Sequence, residues 1–489
     1  LRVEISKSSG LLLYLWSFEI VKAILRYTLK TVSPEGQIPY GIVGSGHIMP
    51  APFIPSDQEM WLLWLASEYV LAWQDTAFLD EELPTYPVYG SKAGKASIKD
   101  LLNRCYQHLV KKTGTGKHGL QRLSNGDWND MVVQGYVPQE RHKNVTEHGE
   151  SVLNAAMASF VLDLYSQLLT YINNVDLAQD VHERAEAQRK AVHSQWTGKW
   201  FKRAWLTEDL GWIGTDELWL EPQPWAIIGG AADPNQRQIL VKSIDEGVRQ
   251  PSKIGAMLLS KTLKRKKGVM GLGAGEAAGM GTNAGIWFSI NGTLIWALSL
   301  VDGAMAWDEW KKNTRATHAE IYPDVWYGIW SAPDTVNSEL AAYPGQTSFE
   351  EAAAPESREA MRTFGVGWTD FPVMNMHPHA WILYNTSHLV GIKFSVKGIE
   401  FTPALPKEEY KFSSPLVGFK KSKEGYSGWY APKVAGTWKV TLKLTGDEIK
   451  QFKTLKINGK EEKIDYTDDE MIWSGKSEPD KPLKWVIKK

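Results

Sequence analysis

The chain has 489 residues, a formal net charge of -1, 23 tryptophans and one cysteine. That length holds a large catalytic domain plus an accessory one, and so small a net charge gives no reason to expect nucleic acid or an anionic membrane surface as a partner. The lone Cys105 excludes an internal disulfide and a cysteine-based metal cluster.

The tryptophans cluster near Gly, Asp and Asn in greater number than a core needs. Carbohydrate clefts are a common reason for such a surplus, and a large helical core is the competing one. No apolar run approaches the length of a membrane span, and the first residues lack a basic stretch followed by a small-residue cleavage site. A cytoplasmic setting is the expectation, with the chain opening at Leu1 rather than Met.

In chain order, residues 11–29 carry apolar side chains at helical spacing and stop at Ser33-Pro34-Glu35-Gly36. A Gly/Pro-rich loop over 37–55 follows, holding Tyr40, His47 and Met49. Ser56-Asp57-Gln58-Glu59 reads as a capping box, Ser56 at the cap and Glu59 three residues on, opening a helix through about Trp73. Asp57 is also available to a sugar hydroxyl. Residues 97–111 predict a further helix, ended by Thr113-Gly114-Thr115-Gly116.

The next stretch, Gly126-Asp127-Trp128-Asn129-Asp130, packs two carboxylates, an indole and an amide behind a glycine. An indole stacks on the apolar face of a pyranose, and Asn129 can bond ring hydroxyls. A carboxyl in a partly desolvated pocket keeps its proton near neutral pH and can deliver it to a leaving oxygen. Asp130 is expected in that last role, with Asp127, Trp128 and Asn129 beside the sugar. The competing reading is an Asx-type turn before a helix, in which Asp127 or Asp130 merely caps backbone donors.

Residues 147–172 and 178–195 predict two amphipathic helices, and 196–212 a Trp-rich connector. Residues 215–225, holding Glu217, Glu221, Gln223 and Trp225, enter another helix that ends at Gly229-Gly230. The Gly-rich run 271–279 has neither Rossmann nor Walker spacing and reads as a loop beside a cleft. Helices resume over 283–300 and 307–320. Residues 321–334 are dense in aromatics and acids and broken by Pro and Gly. Asp324, Trp326, Trp330 and Asp334 are cleft candidates there, with surface turns the alternative for the two acids. His377 and His379 form a His-x-His pair with no third ligand signalled, so substrate contact or loop bonding is expected ahead of metal. From about Leu389 apolar and polar residues alternate between turns, as in an antiparallel sheet with one wet face. These patterns predict a mainly α protein, with paired helices in a toroid over 1–388 and a β-sandwich over 389–489.

Gly126-Asp127-Trp128-Asn129-Asp130 resembles the signature of glycoside hydrolase family 94, the inverting glycoside phosphorylases. The resemblance continues in order through Ser56-Asp57, Phe78-Leu79-Asp80-Glu81, His118-Gly119-Leu120, Gly149-Glu150-Ser151-Val152, Gln223-Pro224-Trp225-Ala226 and Pro403-Ala404-Leu405-Pro406. It implies an (α/α)6 barrel with a C-terminal antiparallel β-domain. Asp130 matches the general acid, and Asp57, Trp128 and Gln223 match positions near the substrate. The chain departs from the family where phosphate is held. The His of a Glu-Asn-Gly-Gly loop is replaced in Thr282-Asn283-Ala284-Gly285-Ile286-Trp287-Phe288-Ser289, and a Thr-Gly pair in Met376-His377-Pro378-His379. The family's N-terminal sandwich and the Arg-bearing segment after it have no counterpart in these residues.

The expected activity is inverting cleavage of β-glucosidic bonds in gluco-oligosaccharides, with no cofactor, no metal and no membrane partner. Inorganic phosphate is the co-substrate in one version, with His377 and His379 the candidates to hold it. In the other, water attacks and needs a general base about 6.5–9.5 Å from the acid, for which Glu217, Glu221, Asp324 and Asp334 are candidates. A sugar-binding homologue without catalysis is the third reading, and homodimer formation stays open.

Overall fold

The computed structural model describes residues 14–42, 48, 54–264, 278–325, 333–346, 377–467 and 469–489. Its helical part runs through α1 (Phe18–Leu29), α2 (Gln58–Trp73), α3 (Ile98–His108), α4 (Val152–Tyr171), α5 (Val175–His193), α6 (Pro222–Ile228), α7 (Pro234–Ile244), α8 (Phe288–Ser299), α9 (Gly303–Lys312), α10 (Arg315–Ile321) and α11 (His377–Val390). Two kinds of helix alternate. α2 and α8 are apolar all round and correspondingly sealed, with only Glu68 of α2 and Ser299 of α8 short of full burial. α3, α5 and α9 bury one side only, as amphipathic helices on an outer layer do.

The inner helices meet around Trp64 of α2, which has no solvent exposure. Its indole stacks on Trp296 of α8 at 5.7 Å and meets Phe160 of α4 at 5.8 Å, Trp225 of α6 at 5.4 Å and Tyr384 of α11 at 6.2 Å. Much of the tryptophan surplus is therefore core, the competing explanation in the sequence. α4 is long and apolar enough to cross a membrane by length and composition, contrary to the expectation that no run approaches that length. Here 83% of its apolar window is buried inside the fold, where α2, α5 and α6 pack on it.

Several elements differ from expectation for identifiable reasons. Asp57, not Ser56, occupies the N-cap of α2, and no side-chain capping bond forms there. Ser56 and Glu59 are diverted, the former to Leu123 and Gly126 carbonyls and the latter to His108 Nδ1 at 3.1 Å. The helix expected over 307–320 is two, because Thr314 caps a fresh start by accepting from Thr317 N. Residues 377–390, read partly as loop and partly as strand, form α11. Proline in a first helical turn gives up an N–H that has no intrahelical acceptor anyway.

Short strands brace the loops: β1 (Glu150–Ser151), β2 (Ala204–Trp205) and β3 (Trp212–Ile213) in one sheet, β4 (Ile286–Trp287) with β5 (Thr335–Val336) in another. After Val390 the chain turns at Gly391, whose φ of +82 and whose approach to Thr402 leave no room for a Cβ. The sheet-rich part then holds β6 (Ile392–Ser395), β7 (Gly398–Phe401), β8 (Tyr410–Ser413), β9 (Val417–Ser422), β10 (Gly425–Tyr430), β11 (Gly436–Lys443), β12 (Thr454–Ile457), β13 (Lys460–Glu462), β14 (Asp465–Tyr466), β15 (Glu470–Ser477) and β16 (Leu483–Lys488). One sheet has the order β8-β9-β10-β16-β12-β13 and the other β14-β15-β11-β7-β6. The β7–β11 pairing is parallel, a departure from the all-antiparallel expectation. Period-two burial is clean in β16, where Leu483, Trp485 and Ile487 turn inward. Phe401 of one sheet meets Phe419 (4.5 Å) and Trp485 (5.5 Å) of the other, so the two share a core.

Candidate active site

The segment 123–130 is fixed from below before its chemistry begins. Ser56 Oγ donates to the carbonyls of Leu123 (2.9 Å) and Gly126 (3.2 Å) and itself accepts from Asn154 Nδ2 of α4 at 2.8 Å. Ser124 adopts φ +54, and a Cβ on Gly126 would stand 3.4 Å from Asp130 Cα, so the turn closes tightly on itself. Asp127 Oδ1 accepts from Asn129 N at 3.0 Å, and Asn129 Oδ1 accepts from Met131 N at 3.0 Å. The Asx-turn reading thus holds for Asp127, and Asn129, for which it was not made, forms a similar turn. It fails for Asp130, which stands at the cap position of the following helical turn and makes no side-chain capping bond.

Asp127 is further absorbed in a buried ion cluster. Arg203, fully buried just before β2, donates to both its oxygens (2.7 and 2.8 Å), and Ser151 Oγ donates to Oδ2 at 2.6 Å. The same guanidinium donates through Nε to Glu221, whose other oxygen accepts from Asn129 Nδ2 at 2.9 Å. Burial works against the charge on Arg203, but attraction to Asp127 and Glu221 more than offsets it and holds the guanidinium charged. Burial pushes the Glu221 carboxyl above its ordinary range, against the pull of Arg203. Glu221 therefore does not meet the expectation of a catalytic base. It has no solvent exposure and both oxygens are engaged, which leaves no face for a water. Asp127 is likewise a brace rather than a sugar contact.

Gln223, expected near substrate, is also structural. Its amide donates to the carbonyls of Phe201 and Trp219 (both 2.8 Å) and accepts from Phe201 N at 2.9 Å, with no exposed surface. The pieces around His118 and Glu150 form another brace, in which the buried Glu150 carboxylate accepts from the backbone N–H of His118 (3.0 Å) and Leu120 (3.2 Å) and meets His118 Nδ1 at 2.8 Å.

Asp57, Trp128 and Trp225 do come together, lining one cavity with Trp61, Asn154 and Ser289. Asp57 accepts from Trp61 Nε1 at 2.9 Å, and Trp128 donates through Nε1 to Ser289 Oγ at 3.1 Å while its ring meets Trp287 edge-on at 5.0 Å. Asp130, two residues after Trp128, is half-buried, and Tyr40 Oη donates to its Oδ2 at 2.7 Å.

The later candidates reach this region through β4 and β5. Trp287 pairs with Thr335, next to Asp334, and Asp334 Oδ1 lies 3.0 Å from Nδ1 of the buried His377. His379 is half-buried in the first turn of α11, and burial together with the Arg315 charge lowers its proton affinity. Asp324 stands apart on an exposed turn after α10, the surface alternative for that residue. Trp326, Trp330 and His47 lie outside the described residues. Among the described residues no group of three or more His, Cys, Asp or Glu side chains is arranged to hold a metal. Sequence reasoning missed Arg203. Its signal was weak, since Lys202 and Arg203 stand side by side between Phe201 and Ala204 and the sequence does not say which of the two is buried.

Cellobionic acid phosphorylase of Neurospora crassa is 26% identical over 48% of this chain and 29% of its own length. Solabiose phosphorylase of Paenibacillus borealis is 23% identical over 90% of this chain and 51% of its own length. The chain thus spans about half the length of these curated relatives, or less. Among solved structures, the GH63 mannosylglycerate hydrolase from Thermus thermophilus in complex with glucose superposes with a TM-score of 0.51 at 10% identity, over 79% of this chain and 92% of that one, a likeness of fold alone. The pattern of the glycosyl hydrolase 94 superfamily catalytic domain matches residues 45–325. The chain belongs to the glycosyl hydrolase 94 superfamily.

Proposed function

We propose that this chain is the catalytic part of an inverting glycoside phosphorylase that cleaves β-glucosidic bonds in gluco-oligosaccharides and releases glucose 1-phosphate, with Asp130 as general acid. The observation that carries the assignment is the division of labour within one motif. Asp127 is consumed by Arg203, whereas the Asp130 carboxyl makes no side-chain capping bond to the helical turn after it and is met by the hydroxyl of Tyr40. The alternation of sealed and amphipathic helices around Trp64 supports an (α/α)6 barrel, and the shared core of the two C-terminal sheets supports a β-sandwich.

In this reading phosphate attacks the anomeric carbon from the face opposite the leaving group, the carbon–oxygen bond breaks, and the proton of Asp130 passes to the departing oxygen. Phosphate is already nucleophilic and needs no base, only donors to hold it. His377 and His379 are the proposed donors. They sit in the first turn of the fourteen-residue α11, where the helix dipole also favours an anion. Trp128 is the proposed sugar contact, backed on the wall of the same cavity by the buried Asp57 and Trp225.

The test is incubation with β-linked glucobioses with and without inorganic phosphate. Glucose 1-phosphate formed only when phosphate is present is the expected product. Free glucose released at the same rate with or without phosphate would replace phosphorolysis by hydrolysis.

A further inference from the structure

We propose that a second cavity, apart from the catalytic one, binds an uncharged glucosyl unit, with Trp205 as its apolar wall. That the ligand is a glucosyl chain rests on the proposed activity; that it is a neutral sugar rests on the pocket itself. The cavity measures about 300 Å³, at the lower end of the roughly 300–1,000 Å³ usual for small-ligand sites. It shares no lining residue with the cavity of Asp57 and Trp128. Three pieces of chain enclose it: the 116–122 loop, the turn between β2 and β3, and the short helix His142–His148.

Strand register builds the wall. Trp205 stands directly opposite both Glu150 of β1 and Trp212 of β3, so the three side chains share one face of the small sheet. The loop lies across that face, pinned where Glu150 accepts from the backbone N–H of His118 and Leu120, and the His118 ring meets both indoles at 4.8 Å. Lys117 and Trp205 line the cavity together, with Lys117 Nζ 4.2 Å from the centre of the indole. That ammonium is held by an ion pair with Glu208 in which the two side chains are 48% and 79% exposed. Exposed pairs contribute little, so the pair yields readily to a ligand that hydrogen-bonds both partners.

The lining matches the chemistry of a sugar. An indole receives the apolar face of a pyranose. Neither Nε1 of Trp205 nor the side-chain amide of Asn144 has a hydrogen-bond partner among the described residues, so both are open to ring hydroxyls. The charges of the wall balance, Lys117 and Arg122 against Glu208 and Asp209, with His148 beside them. Asp209 is also met by Arg141 at 2.8 Å, and Arg122 is turned to the carbonyls of Thr115 and Glu147. A wall without net charge that offers an indole, an amide and both signs of hydrogen-bonding group selects a neutral polyhydroxylated ligand over a phosphate or a cation. No bond is made or broken there; the pocket holds sugar outside the catalytic cavity.

The test uses the full chain labelled with 5-fluorotryptophan, the Trp205 fluorine signal being assigned by its loss in Trp205→Phe. Cellobiose, laminaribiose, sophorose and glucose 1-phosphate are titrated in turn without inorganic phosphate. The Trp205 signal is expected to shift and saturate with at least one disaccharide. Asn144→Ala should weaken that binding about threefold to tenfold, as loss of one hydrogen bond does, while kcat for disaccharide cleavage stays as in the wild type. A Trp205 signal that no disaccharide moves overturns the inference. So does a shift that Asn144→Ala leaves equally tight, which would come from sugar bound elsewhere, or tighter binding of glucose 1-phosphate than of any disaccharide. Failure of the proposed activity reads out separately. Disaccharides that bind at Trp205 yet give no glucose 1-phosphate once phosphate is added would sink the activity and keep the pocket. Phosphate-dependent cleavage with an unmoved Trp205 signal would sink the pocket alone.

Discussion

At the residue scale, the site turns on where charge is neutralised. Arg203 serves Asp127 and Glu221 together, so replacing it with Met would leave two buried carboxylates without a cation. Breaking a buried pair in this way costs about 3–5 kcal/mol. The loss should shrink in acid. Burial already pushes the Glu221 carboxyl up against the pull of Arg203, so without that cation the folded variant binds more protons than its unfolded chain and regains stability as pH falls. Urea melts of Arg203→Met and wild type at pH 5 and pH 8 check this, and a gap that does not narrow at pH 5 contradicts it. Glu221→Gln should be mild, since burial already disfavours the charge there. Cleavage is expected within about tenfold of wild type, whereas loss of a general base costs about 10²–10⁴-fold. Asp127, Asp130 and Glu221 look alike in the sequence because the discriminating partner, Arg203, lies 76 residues beyond Asp127. The motif and its resemblance pointed to Asp130, but nothing local to the motif could show that Asp127 was already spoken for.

At the element scale, the tight joint is between α8 and α11. Gly292 offers its carbonyl to Asn385 Nδ2 at 2.9 Å, and a Cβ there would stand 2.4 Å from the Trp381 ring. Gly292→Ala gains up to about 1 kcal/mol of helix propensity but must displace a buried indole, an overpacking cost of about 1–3 kcal/mol. A lower melting temperature is expected, and an unchanged or higher one would show that Trp381 yields freely. Sealed helices such as α2 were legible as apolar runs with clear ends. α11 was not, because Pro378 and the two histidines imitate a loop and its apolar residues run straight into β6. Ser56 misled for a related reason. Its sequence fits a cap, yet tertiary acceptors at Leu123 and Gly126 compete for the same hydroxyl.

At the scale of the whole molecule, the sheet-rich part is keyed onto the end of α2. Tyr430 Oη donates to Ala72 O at 2.7 Å, and Gln74 Nε2 donates to Ser395 O at 3.1 Å. One turn earlier, Glu68 sits between Trp64, Tyr14 and Tyr384, and burial pushes its carboxyl up to about 7 against the attraction of Lys393. A carboxyl whose folded pKa lies above its unfolded value is a cost that grows as pH rises through the interval between the two, here about 4.5 to 7. Stability should therefore decline across that interval, and Glu68→Gln should flatten the decline. Thermal melts from pH 4.5 to 8 read this directly, and parallel curves for the two proteins would remove Glu68 as the cause. The change from helices to sheets was legible to within a few residues of Gly391. The gathering of five helices around Trp64 was not, since an indole in a sealed core and one in a sugar cleft look the same in sequence.

The central claim is that Asp130 hands its proton to the departing glycosidic oxygen. Its most direct test is the rate of disaccharide cleavage by Asp130→Asn at neutral pH, with the fold confirmed by an unchanged melting temperature. The predicted result is a fall of about 10²–10⁴-fold. A folded variant that cleaves within a few-fold of wild type would contradict the account.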